Sequence, residues 1–137
     1  MLEQKAPSFS DLLSVPHVFG ETDCWWLVRE VFSRYGIGIA EYDVAREAVT
    51  KANYDLGFFS NIIKENLPDK WEPISDPETP CLITMAISLP EYHHVAVHIG
   101  YGKFIHNSSM RGKTTIERLD NPIYATRKFY RYINNSN

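Results

Sequence analysis

The chain is short of cysteine. It holds two, Cys24 and Cys81, among 137 residues, too few for the disulfide frameworks that small secreted domains use in place of a large core. Both are therefore expected as free thiols. Cys24, His94, His98 and His106 can be drawn as four zinc ligands, but no CxxC pair and no helical HxxxH pair anchors such a site, so neither a metal nor a cofactor is expected. Long apolar runs are missing as well. Met1 to Asp11 carries Glu3 and Lys5 and has no stretch of signal-peptide length, and no later segment approaches a membrane span. The expectation is a chain made in the cytoplasm and not inserted into a membrane. A basic excess is also lacking: 14 Lys and Arg stand against 17 Asp and Glu, for a formal net charge of -3, which disfavours a nucleic-acid module.

What is present suits one folded domain over residues 1–137. A hydrophobic content of 44% with 13% aromatic residues provides a core, and a chain of this length buries roughly two-thirds of the surface that it exposes when unfolded. Charge is uneven along it. Residues 1–100 hold seven Lys and Arg against fifteen Asp and Glu, whereas residues 101–137 hold seven against two. A locally basic tail fits an anionic ligand, an acidic partner, or complementary charge between the two parts of the chain, and the last is the simplest.

Periodicity divides the chain into helices early and strands late. Asp11 to Val15 reads as a short helix closing at Pro16. Thr22 or Asp23 then caps a helix from Cys24 to Tyr35, with Leu27, Val28, Val31, Phe32 and Tyr35 on one side and Gly36 as the stop. Further helices are expected near Val44–Ala52 and Leu56–Asn66. Trp71 to Ile74 reads as extended, 75–80 as a loop, Cys81 to Ser88 as a strand and Leu89 to Tyr92 as a turn. Beyond His94, alternation of Val95, Val97 and Ile99 with His94, Ala96 and His98 is a β pattern, and Thr114–Leu119 and Lys128–Ile133 complete a meander. The expected architecture is α+β, an antiparallel sheet packed against the helix that carries Cys24.

Three residues of this pattern carry chemistry. Cys24 opens a helix, where the N-terminal dipole and a nearby imidazolium favour the thiolate. His94 is the candidate base and His106 the candidate orienting group. Hairpin register decides whether the two imidazoles meet, because a two-residue turn sets Val97 opposite His106 and sends the histidines to opposite faces. A three-residue Gly100-Tyr101-Gly102 loop pairs Ile99 with Lys103 and Ala96 with His106, which places His94 and His106 on one face as diagonal neighbours. His93, His98 and Cys81 read as structural, Trp25 as core, and Trp26 as lining a groove or covering a loop.

The Asp23-Cys24 pair, followed far downstream by HVAVHIGYGKFIH, resembles the NlpC-type cell-wall peptidases, a papain-like family, and the tail GKTTIERLDNPIYATRKFYRY resembles that family's closing strands. YGIGIAEYDVAR and the segment from Trp71 to the hairpin look most like the peptidase domains of phage tail-assembly proteins. The resemblance implies a papain-like fold and a cysteine peptidase acting on amide bonds of peptidoglycan stem peptides, with Cys24, His94 and His106 catalytic. It also implies a virion-tail or prophage setting with tail-tip proteins as partners. A catalytically weak tail-tip structural protein of the same fold is the alternative. The chain departs from the family at three places. Trp25 and Trp26 follow the cysteine where small residues are usual, His17 stands where many members have an oxyanion-binding tyrosine, and Thr79-Pro80-Cys81 replaces a Gly-Asp. His17 and Trp25 are accordingly candidates for oxyanion and substrate contact.

Overall fold

The computed structural model describes residues 7–18, 21–39, 70–87 and 94–133. The expected helices near residues 44–52 and 56–66, the turn at 89–92 and His93 lie outside them. Helix α1 spans Cys24–Arg34. Asp23 is its N-cap, in extended geometry, with Oδ1 accepting the Trp26 N–H at 2.9 Å. Its other end closes as a Schellman motif: Ile37 N–H donates to the Phe32 carbonyl and Gly36 N–H to the Ser33 carbonyl, with Gly36 at φ +82°. A side chain at Gly36 would strain this turn.

Six strands form one antiparallel sheet: β1 Trp71–Ile74, β2 Cys81–Met85, β3 His94–Gly100, β4 Lys103–Ser108, β5 Lys113–Arg118 and β6 Arg127–Tyr132, in the order β1-β6-β2-β3-β4-β5. The simple meander is thus corrected. Strands β2 to β5 run as expected, but β6 crosses back to pair with β2, Leu82 facing Tyr130, and leaves β5 at an edge. Helix α1 packs across β3 and β4. Its Leu27, Val28, Val31 and Phe32 meet Leu82, Val95, Val97 and Ile105, and Phe32, Trp71 and Tyr132 interlock edge-to-face. The opposite face carries a smaller core of Ile83, Met85, Ala96, Phe104, Leu119 and Tyr124.

The short helix expected at Asp11–Val15 is absent. Residues 10–14 make turns, with Leu12 N–H donating to the Phe9 carbonyl and Val15 N–H to the Leu12 carbonyl, and Ser14 has a φ of 70°. Tertiary pairing outcompetes local helix formation here, because Ser14 and Val15 exchange backbone hydrogen bonds with Thr114 and Pro16 bridges to Lys113. The segment therefore covers part of the β5 edge. Charge complementarity between the two parts of the chain takes a definite form: Arg131 in the basic tail pairs with both Glu72 and Glu78, whereas Arg118 pairs with Asp120 within the tail.

Candidate active site

Cys24 is the first residue of α1 and is 8% exposed. Three backbone N–H groups favour its thiolate, those of Cys24, Trp25 and Val95. The Val95 N–H belongs to the peptide that joins it to His94, so the sulfur lies against the backbone of the candidate base. The next two helical N–H groups are otherwise engaged, Trp26 with the Asp23 carboxylate and Leu27 with the Asp23 carbonyl. Burial nevertheless pushes the Cys24 thiol up to about 12, and the Asp23 carboxylate acts in the same direction. The helix N-terminus alone does not offset this burial, in keeping with the expectation that an imidazole must assist. Ionisation needs a neighbouring base.

On the sheet, the β3–β4 connection joins the histidines by a different route from the one expected. Gly100 pairs with Lys103 across a two-residue turn, Tyr101-Gly102, with φ values of 57° and 70°. By itself this register would separate the histidines. A bulge between His98 and Gly100 restores it, so that His98 faces Phe104 and Val97 faces Ile105. Continued one residue further, that register sets Ala96 opposite His106 and brings His94 and His106 to one face. His94 Nε2 lies 2.8 Å from His106 Nδ1, with the ring centroids 5.0 Å apart.

The chain of contacts extends beyond the expected pair. His106 is wholly buried, edge-on to Phe104 and Tyr124, and its Nε2 lies 2.6 Å from Glu117 Oε2 on β5. Glu117 accepts four further hydrogen bonds: two from Arg111, one from Tyr124 Oη at 2.7 Å and one from Thr115 Oγ1 at 2.9 Å. Burial would raise its carboxyl, but these donors outweigh burial and hold it well below the usual carboxylate range. Burial also keeps His106 below its ordinary value, although Glu117 opposes this. Tyr124 is pushed up to about 12, first by burial and then by Glu117, and so remains a donor.

Sequence reasoning missed Glu117. The available signal was that Thr115 and Glu117 alternate along a predicted strand, and that Glu117 is one of only two acids in the basic tail. Arg111, one of the basic residues of the tail, is committed to Glu117.

His17 is half-buried in the segment before the helix. Its Nδ1 lies 2.7 Å from Asn107 Oδ1, and Asn107 Nδ2 donates to the Val15 carbonyl and to Thr114 Oγ1. Because the amide nitrogen is so used, Oδ1 is the acceptor and His17 Nδ1 the donor. The neutral ring then carries a lone pair at Nε2, and only the imidazolium could donate a second hydrogen bond from that nitrogen. Trp25 is buried in the helix-side core, while Trp26 is partly exposed beside it. His98 Nδ1 is engaged with the Glu78 carbonyl, 2.9 Å away, and Cys81 is buried opposite it in β2; both cysteines are free thiols. Among the described residues no three His, Cys, Asp or Glu side chains gather as a metal-binding group, and no helix is long and apolar enough to cross a membrane.

The model of the NlpC/P60 family matches residues 14–132, which include α1, the whole sheet and every residue of this arrangement. The chain belongs to the NlpC/P60 family. NlpC/P60 proteins are generally cysteine peptidases or amidases of the cell wall, and the six-stranded antiparallel sheet packed with helix α1 among the described residues is consistent with their papain-like α+β fold. None of the curated proteins compared with the chain matches it.

Proposed function

We propose that this NlpC/P60 chain is a thiol peptidase that hydrolyses amide bonds in peptidoglycan stem peptides, with Cys24 as nucleophile, His94 as base and His106 as its orienting partner. The observation that carries the reading is the 2.8 Å His94–His106 contact beside a helix-opening cysteine that lies against the His94–Val95 peptide. His94 Nε2 is engaged with His106, and Nδ1 is assigned as the nitrogen that takes the Cys24 proton. The thiolate attacks the amide carbonyl carbon, and the Cys24 N–H supports the oxyanion. The C–N bond breaks as His94 returns the proton to the departing amine. Water, deprotonated by the same imidazole, then opens the thioester to release the acid and restore the thiol.

Trp26 is offered as a wall for the substrate. His17 contributes to the oxyanion only as the imidazolium. The likeness of the middle of the chain to tail-assembly peptidase domains supports a phage-tail or prophage setting with tail-tip proteins as partners; tail genes on either side of the coding sequence are the expected finding, and a solitary wall-remodelling locus would count against it.

Purified cell wall or a stem peptide provides the test. The wild type releases new amino termini and Cys24→Ala does not; equal release by both defeats the enzyme reading. A second reading, a tail-tip structural protein with this fold, is favoured by one observation, the buried thiol raised to about 12. A thiol-reactive probe separates the two: labelling of folded protein at neutral pH that is lost in His94→Ala supports the enzyme, whereas an inert Cys24 supports the scaffold.

A further inference from the structure

We propose that Glu117 is a positioning residue that fixes the protonated nitrogen of His106 and, through it, of His94. This assignment rests on the thiol-peptidase reading for its effect on turnover. The argument follows the donors. Glu117 accepts hydrogen bonds at both oxygens from Arg111, at Oε1 from Tyr124 and at Oε2 from Thr115, so it is an ionised acceptor with nothing to donate. The 2.6 Å contact at its Oε2 must therefore be a donation from His106 Nε2–H. A neutral His106 then has its lone pair on Nδ1, and the 2.8 Å contact there must be a donation from His94 Nε2–H. Neutral His94 is left with its lone pair on Nδ1, the nitrogen that the proposed reaction uses.

The same chain serves the intermediate. When His94 takes the thiol proton, its charge is shared through His106 towards Glu117, with no proton leaving either imidazole. The groups that face Glu117 are Arg111 from the β4–β5 turn, Tyr124 from the short helical turn at Pro122–Tyr124, His106 from β4 and Thr115 from β5 itself. Three of the four secure the carboxylate independently of the histidine, so it is held in place before any substrate arrives.

Glu117→Gln puts an amide donor among these donors. With its NH₂ towards His106, the amide turns both imidazoles to the opposite tautomer and removes the lone pair from His94 Nδ1. With its NH₂ towards Arg111 and Tyr124, it still withdraws the negative charge. Uniformly ¹⁵N-labelled protein provides a readout that needs no substrate. In the wild type both imidazoles show a protonated Nε2 and an unprotonated Nδ1; in Glu117→Gln this pattern follows the amide's orientation, and in Glu117→Ala, which offers His106 no acceptor, it is lost. With substrate, kcat falls roughly 10- to 100-fold while KM changes little, as expected for an orienting contact one residue beyond the base's own partner.

Arg111→Ala separates positioning from loop anchoring. It leaves the carboxylate on His106, so the ¹⁵N pattern persists and kcat falls less than about threefold, in keeping with the small worth of an exposed ion pair. An unchanged ¹⁵N pattern in folded Glu117→Ala, which offers His106 no acceptor, or an equal loss of that pattern in Arg111→Ala, overturns the proposal. If the wild type turns over no wall substrate, the peptidase reading fails, and the ¹⁵N comparison still decides what Glu117 does to the two rings.

Discussion

The two faces of the sheet are built from the same strands and do different work. On the helix side, Val95 and Val97 of β3 and Ile105 of β4 are wholly buried beneath α1. One residue along each strand, on the other face, His94 and His106 begin a polar chain that runs to Glu117, cushioned by Phe104 and Tyr124. The helix-side face fixes where the cysteine sits; the other face fixes where the protons sit. Two-residue alternation permits both, since neighbouring side chains need not share a solvent. Apolar burial supplies energy but not the identity of a proton donor, whereas the polar chain defines donors at some cost in desolvation.

Substitutions on each face give the comparison its sharpest tests, the largest effects coming first. His94→Ala removes the proposed base and should lower kcat by at least about a thousandfold with little change in thermal midpoint, by analogy with the loss of other catalytic bases. His106→Ala should be damaging twice over. It leaves Glu117 without its histidine donor and opens a void beside Phe104 and Tyr124, so both turnover and the urea midpoint fall.

On the helix side, Leu82→Ala removes a fully buried side chain and should destabilise the fold by about 2–5 kcal/mol in urea titration. The kcat of the molecules that remain folded should stay near wild type. A large loss of kcat in that variant would break the division of labour between the faces.

Acid stability provides a smaller effect. The Glu117 carboxyl lies below its ordinary value in the folded protein, so its contribution is fully present above its unfolded value and is lost as the pH falls through the depressed folded one. Glu117→Gln removes that contribution. Its thermal midpoint should therefore fall less than that of the wild type between about pH 5 and about pH 2.5. The smallest effect concerns Asp23→Asn, which keeps a capping oxygen for Trp26 but removes the charge that raises the Cys24 thiol. Iodoacetamide should label Cys24 a few-fold faster in that variant at a given alkaline pH, with stability changed by less than about 1 kcal/mol.

Local signals in the sequence were sufficient for α1. The apolar period, the Asp23 cap and the Gly36 stop all act within one segment, and the helix occupies those bounds less its final residue. Strand alternation likewise separated His94 and His106 from the helix-side valines. The way in which the histidines meet was not legible, because a bulge at Ile99 and a two-residue turn produce the same facing as a three-residue loop, and nothing local chooses between them. Glu117 escaped for a related reason: its part depends on the β4–β5 register, in which His106 faces Thr115 and Phe104 faces Glu117. The turns at residues 10–14 and the return of β6 to β2 reflect distant backbone partners, and local propensity carries no information about those.

The central claim is that Cys24 becomes acylated with the help of the histidine chain. Acid-quenched mixtures of the wild type and a stem peptide, examined by peptide mass spectrometry, test it most directly. The account predicts a thioester on Cys24 that forms in the wild type and is lost in His94→Ala. Release of product with Cys24 never modified, and at the same rate in Cys24→Ala, would contradict it.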